Sequence, residues 1–156
     1  MAEVRQMQVK ASTDASVRRI DQLLAHYGES HGHPVNLRIH WICVPLIVWS
    51  TLGLLWVVHP YAALALIISA LIYYFTLSVT MAVFQTLVMI LVIGSLAVMP
   101  HLLWMSLAIW AASWIAQFIG HNIEGKKPSL FDDLLFLLIG PLFVASHLFK
   151  ALRIRY

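Results

Sequence analysis

Residues 39–123 read IHWICVPLIVWSTLGLLWVVHPYAALALIISALIYYFTLSVTMAVFQTLVMILVIGSLAVMPHLLWMSLAIWAASWIAQFIGHNI: 85 consecutive positions, between Arg38 and Glu124, without a charged side chain. A charged group at the centre of a bilayer is costly, and a helix needs about 20 apolar residues to cross one. The run therefore accommodates about four transmembrane helices. His59-Pro60 and Pro100-His101 break it near its two ends, because proline opens a helix far more readily than it continues one. The stretch 61–98 holds neither proline nor charge, yet 38 helical residues would extend about 57 Å, too long for one crossing. A further break is expected near Thr80. The spacing predicts spans over 41–58, 61–79, 81–98 and 102–119, with Trp41, Trp56, Tyr61 and Trp104 near their ends as an aromatic belt.

Outside this run the chain is more polar. Residues 1–12 read as a disordered tail. Residues 14–28 predict an amphipathic helix lying in the interface, with Asp14 as N-cap and Val17, Ile20, Leu23 and Leu24 on one apolar face. A polar turn follows the fourth span and carries Lys126, Lys127, Asp132 and Asp133. A last apolar segment, 134–149, is short for a span and has Gly140-Pro141 at its middle. The expected fold is an all-α polytopic membrane helix bundle in one domain, 1–156. It has about four transmembrane helices, the N-terminal interfacial helix and a C-terminal re-entrant or interfacial helix. The first apolar run begins too far into the chain to read as a cleaved signal peptide.

Composition agrees. Hydrophobic residues make up 61 % and charged residues 11 % of the chain, against about 25 % charged in soluble domains. The net charge of +3 sits in the end regions and forms no basic stripe, so a nucleic-acid partner is not expected. The single cysteine, Cys43, can form no disulfide within the chain. An even number of crossings puts Arg38 and Lys126/Lys127 on one face, which the positive-inside rule makes cytoplasmic.

The same parity sorts the eight histidines. His31, His33, His40 and His121 share that face, with His26 nearby, while His59 and His101 fall on the other. His147 joins the first set if the last apolar segment does not cross. Asn36 and His40 are one helical turn apart; Gln117, His121 and Glu124 form an i, i+4, i+7 stripe. Two helix ends thus each present an imidazole with a polar neighbour, the pattern of a metal ligand and the group that orients its second nitrogen. Glu124 is also a candidate ligand. From spacing alone, three readings stay open: a metal enzyme, a haem-binding electron carrier with histidines as axial ligands, and a non-catalytic scaffold or transporter subunit whose histidines are only interfacial. The absence of charge from the spans weakens an ion pathway.

Residues 31–45, HGHPVNLRIHWICVP, and 117–130, QFIGHNIEGKKPSL, continued by Phe131-Asp132-Asp133-Leu134 and Gly140-Pro141, resemble the hallmarks of a small membrane family, the 2-hydroxy-fatty-acid dioxygenases. The form GHNIEGKKP resembles bacterial members, which implies a bacterial inner membrane; fungal members imply the endoplasmic reticulum. The resemblance implies Fe(II), dioxygen and a long-chain 2-hydroxy fatty acid, shortened by one carbon with loss of carbon dioxide. It places the metal on His31, His40 and His121, with Asn36, Gln117 and Glu124 as accompanying catalytic residues. Arg38, Lys126 and Lys127 would receive the substrate carboxylate, and His26 and His147 are possible additions. The acyl tail would remain among the apolar helices, in contact with membrane lipid.

Overall fold

The computed structural model describes residues 18–29, 31–125 and 130–156, with side chains described outside 126–137. Among these the chain is all-helical: α1 (Arg19–Glu29), α2 (Pro34–Val58), α3 (Pro60–Leu77), α4 (Val79–Val98), α5 (Leu102–Glu124) and α6 (Leu130–Ala151). The four helices α2 to α5 are long and apolar enough to cross a membrane, and α6 contains a shorter apolar stretch, Leu138–Ala151. The predicted tail 1–12, Asp14, Lys126 and Lys127 lie outside the described residues.

The two proline breaks fall as expected. His59 is the single extended residue between α2 and α3, and Met99 to His101 separate α4 from α5. The middle break is at Ser78, two residues before Thr80. Ser78 is extended, and its hydroxyl accepts from the Met81 N–H, a side-chain cap that starts α4. Two helices run past their apolar segments. α2 begins at Pro34 rather than 41, and α5 continues to Glu124 rather than 119. Hydropathy reports where lipid begins, whereas backbone hydrogen bonding carries a helix on into polar sequence. Both extensions bear candidate site residues.

Helices gain little from hydrophobic burial within lipid, so close approach of backbones and interhelical hydrogen bonds hold such bundles together. The α2–α5 contact shows this. A Cβ on Gly53 would lie 2.2 Å from Ser106 Oγ, and one on Gly120 would lie 2.4 Å from Asn36 Oδ1. Only glycine allows this separation. The pairs Gly53–Ser106 and Asn36–Gly120 also fix the helices as antiparallel. α2 is also joined to α4, where Trp49 Nε1 donates to Ser95 Oγ at 2.8 Å.

α1 and α6 close the end of the bundle where α2 starts and α5 finishes. Ile20, Leu24 and Tyr27 of α1 pack with Leu142, Phe143 and Phe149 of α6 and with Tyr74 and Met81 of the α3–α4 hairpin. α6 is tied down at its proline: Tyr74 Oη donates to the Leu138 carbonyl at 2.7 Å, and Gln85 Nε2 to the Pro141 carbonyl at 2.9 Å. His147 of α6 lies against Trp41, ring centroids 5.5 Å apart, so it shares the end of the bundle that holds His40.

Candidate metal centre

Three histidines from three segments converge at that end. His31 lies in the link between α1 and α2, His40 on α2, and His121 in the last turn of α5. Ring centroids are 4.1 Å apart for His31–His40, 5.0 Å for His40–His121 and 5.5 Å for His31–His121, all edge to face. One ring nitrogen of each lies within 4.8 Å of the others, and among the described residues these three form the only such group of histidine, cysteine or carboxylate side chains.

Their orientation is fixed locally. His31 Nδ1 is 2.6 Å from the Tyr27 carbonyl and His40 Nδ1 is 2.9 Å from the Asn36 carbonyl, each four residues back. A carbonyl only accepts, so both Nδ1 atoms carry the proton and both Nε2 atoms present a lone pair. This is the usual second contact of a metal-bound imidazole. His31 also stacks flat on Tyr27, centroids 4.2 Å apart and 3° between planes. His31 and His40 are buried. Burial is the main effect holding the His31 imidazole below its ordinary pKa, which keeps it neutral as metal binding requires.

The residues fit a metal ion. His31 Nε2 is buried with no hydrogen-bond partner, an arrangement that costs about 1–3 kcal/mol unless something completes it. An all-imidazole set suits iron, zinc, copper or nickel.

Glu124 stands beside the trio in a different role. Its carboxylate accepts from the Gly32 N–H at 2.9 Å, the His33 N–H at 2.8 Å and Asn36 Nδ2 at 3.2 Å. It thereby joins the end of α5 to the start of α2, where a negative charge also meets the positive end of the helix dipole. The clamp fixes His31, one residue before Gly32, relative to His121, three residues before Glu124. His33 is the N-cap of α2 and accepts from the Val35 N–H. Asn36 is fully buried in the same contact. Gln117 is buried one turn before His121, and its Oε1 has no hydrogen-bond partner. The α2–α5 register sets it level with His40.

Other candidates lie apart. Arg38 is exposed, and two residues from both Asn36 and His40 it points to the other side of α2, about 200° round the helix. His26 is exposed and 3.5 Å from Glu29. His147 donates Nδ1–H to the Phe143 carbonyl at 2.9 Å, and the Phe143 ring stands between it and His31. Sequence reasoning did not single out Tyr27, Gly120 or Phe143. Tyr27 sits four residues before His31, a legible spacing, but its stacking depends on a bend between α1 and α2. Gly120 and Phe143 matter only through contacts with distant segments.

The family model described as Mpo1-like, 2-hydroxy-palmitic acid dioxygenase Mpo1-like, matches residues 17–152. The 2-hydroxy-palmitic acid dioxygenase MPO1 of Saccharomyces cerevisiae is 31 % identical over 138 residues, covering 81 % of this chain and 78 % of that relative. No solved structure matches.

Proposed function

The chain belongs to the Mpo1-like 2-hydroxy-palmitic acid dioxygenase family, and from that premise we propose that it is a membrane-embedded, Fe(II)-dependent dioxygenase of long-chain 2-hydroxy fatty acids. The reaction consumes one dioxygen and releases the fatty acid one carbon shorter, carbon dioxide and water. The observation that carries the reading is the convergent trio His31, His40 and His121, the first two buried with Nδ1 committed and Nε2 free and the third half-buried. Iron held there, with positions left open, supplies the redox chemistry that lets dioxygen react with a closed-shell acid.

The remaining residues position and bind. The Glu124 clamp keeps the α2 and α5 ligands in register. The unpartnered Gln117 carbonyl oxygen is suited to accept from the substrate 2-hydroxyl. Lys126 or Lys127, following α5 directly, is assigned to the substrate carboxylate; Arg38 takes the topological role. With Arg38, Lys126 and Lys127 on one face, the metal end of the bundle faces the cytoplasm. α6 stays at that end rather than crossing, since its contacts from Leu138 to Phe149 are with α1, the first turns of α2 and the α3–α4 hairpin. A haem carrier fits less well: three imidazoles packed edge to face at 4.1–5.5 Å leave no slot for a porphyrin plane.

The test is the purified protein in lipid nanodiscs with Fe(II) and 2-hydroxypalmitic acid. The expected outcome is oxygen uptake matched by pentadecanoic acid and carbon dioxide in equal amounts. Oxygen uptake without the shortened acid, or equal turnover after iron is removed by a chelator, would sink the proposal.

A further inference from the structure

A cavity of about 90 Å³, partly open to the apolar surface beside the exposed Leu66, lies between α2, α3, α4 and α6. Its rim at the metal end is formed by Tyr74, Gln85, Leu138 and Pro141, and its floor includes Thr51, Leu66 and Met89. Helix rise gives the depth. Counting from Ser78, where α3 and α4 meet at the metal end, Tyr74 and Gln85 lie about 6 and 10 Å down, and Met89 and Leu66 about 16 and 18 Å down. Thr51 lies eleven residues beyond His40 on the same helix, about 16 Å away. The cavity is therefore elongated along the bundle axis.

Its chemistry is that of a hydrocarbon site. The two polar groups at the rim, Tyr74 Oη and Gln85 Nε2, are already spent on the Leu138 and Pro141 carbonyls. Among the described lining residues the other polar group is the Thr51 hydroxyl at the floor, too little to hold a headgroup, so an occupant's polar end must lie elsewhere. The metal centre is the neighbour. Phe143, two residues past the rim at Pro141, packs on Tyr27 and lies 5.9 Å from the His31 ring. Val44, one turn below His40, meets Gly140, where a Cβ would lie 3.1 Å from Val44 Cγ1.

We propose that this cavity receives the acyl tail of the substrate whose head lies at the three histidines, and that its floor sets the chain-length optimum near sixteen carbons. The inference rests on the dioxygenase reading above. A C–C bond of about 1.5 Å at a near-tetrahedral angle advances an extended chain by about 1.25 Å. From C2 to C16 that is about 17–18 Å, the depth of Leu66, Met89 and Thr51. Ala70 lines the cavity eight residues before Ser78, about 12 Å down, where the eleventh or twelfth carbon would pass.

The experiment measures kcat/KM for 2-hydroxy acids of eight to twenty-four carbons. Ala70→Phe, which plugs the middle of the cavity, is expected to cut turnover of the sixteen-carbon acid by about tenfold or more, since each excluded methylene forfeits about 0.8 kcal/mol, while the eight- and ten-carbon acids are unaffected. Leu66→Ala is expected to move the optimum two or three carbons longer. If both variants scale all chain lengths alike, or leave the profile unchanged, the inference is overturned and the dioxygenase reading stands. A second measurement is independent of turnover: a 2-hydroxy acid with a terminal diazirine should label the buried Ile67 or the half-buried Met89 on photolysis. Labelling of the outward-facing Ile90 and Leu91 instead overturns it. Cavity labelling with no acid turned over keeps the tail site and removes the reaction.

Discussion

The two ends of the bundle both carry histidines, and they differ in what surrounds them. At one end His59 and His101 are exposed. His59 is a hinge residue whose N–H closes α2 on the Leu55 carbonyl and whose ring leans on Tyr61; His101 holds a left-handed backbone at φ 52°. At the other end His31 and His40 are buried, each tied by Nδ1 to the carbonyl one turn back, and His121 joins them from a helix brought close by a missing side chain at Gly120. Imidazole at a membrane interface is common and inert. A candidate metal centre needs burial, a committed second nitrogen and a backbone that permits close approach.

The contrast can be broken most directly at the ligands. His121→Ala is expected to abolish bound metal and turnover, while His59→Ala leaves both unchanged; metal analysis of the gently purified proteins decides it, and equal losses would end the comparison. Gly120→Ala comes next. A methyl group 2.4 Å from Asn36 Oδ1 forces α2 and α5 apart, at a cost of about 1–3 kcal/mol, and metal content should fall with melting temperature in detergent. Glu124→Gln is milder. The amide keeps the shape but loses the charge and sets a donor against one of the three donors, so metal affinity should drop about tenfold to a hundredfold with melting nearly unchanged; titration with Fe(II) under anaerobic conditions reads it. At the opposite end, His101→Gly relieves the left-handed backbone. It should raise stability by under about 1 kcal/mol and leave metal binding untouched.

The same contrast shows what was legible from residues alone. The charge-free run and two prolines sufficed for four spans, and crossing parity then separated His59 and His101 from His31, His40 and His121. The break at Ser78 was harder to place, because 61–98 has no charge or proline and a hydroxyl cap is a weak local signal. Helix ends were less legible still, since α2 and α5 outrun the apolar sequence that revealed them. Least legible was the work of Glu124. Its spacing to His121 suggested a ligand or a partner of one, but its three donors lie on a segment some 90 residues away, and no local pattern encodes such a contact. Gly120 read as an ordinary helix residue for the same reason.

That separation also orders events in the life of the chain. His31 and His40 enter with the first span and His121 only with the fourth, and the Gly32–Glu124 bond closes a loop of 92 positions. A nascent chain halted anywhere before the end of α5 holds two imidazoles and no clamp. On the proposed reading, metal capture waits until the last long span is in place and docked, so a bound ion would report completed insertion, since a chain without α5 lacks one of the three imidazoles.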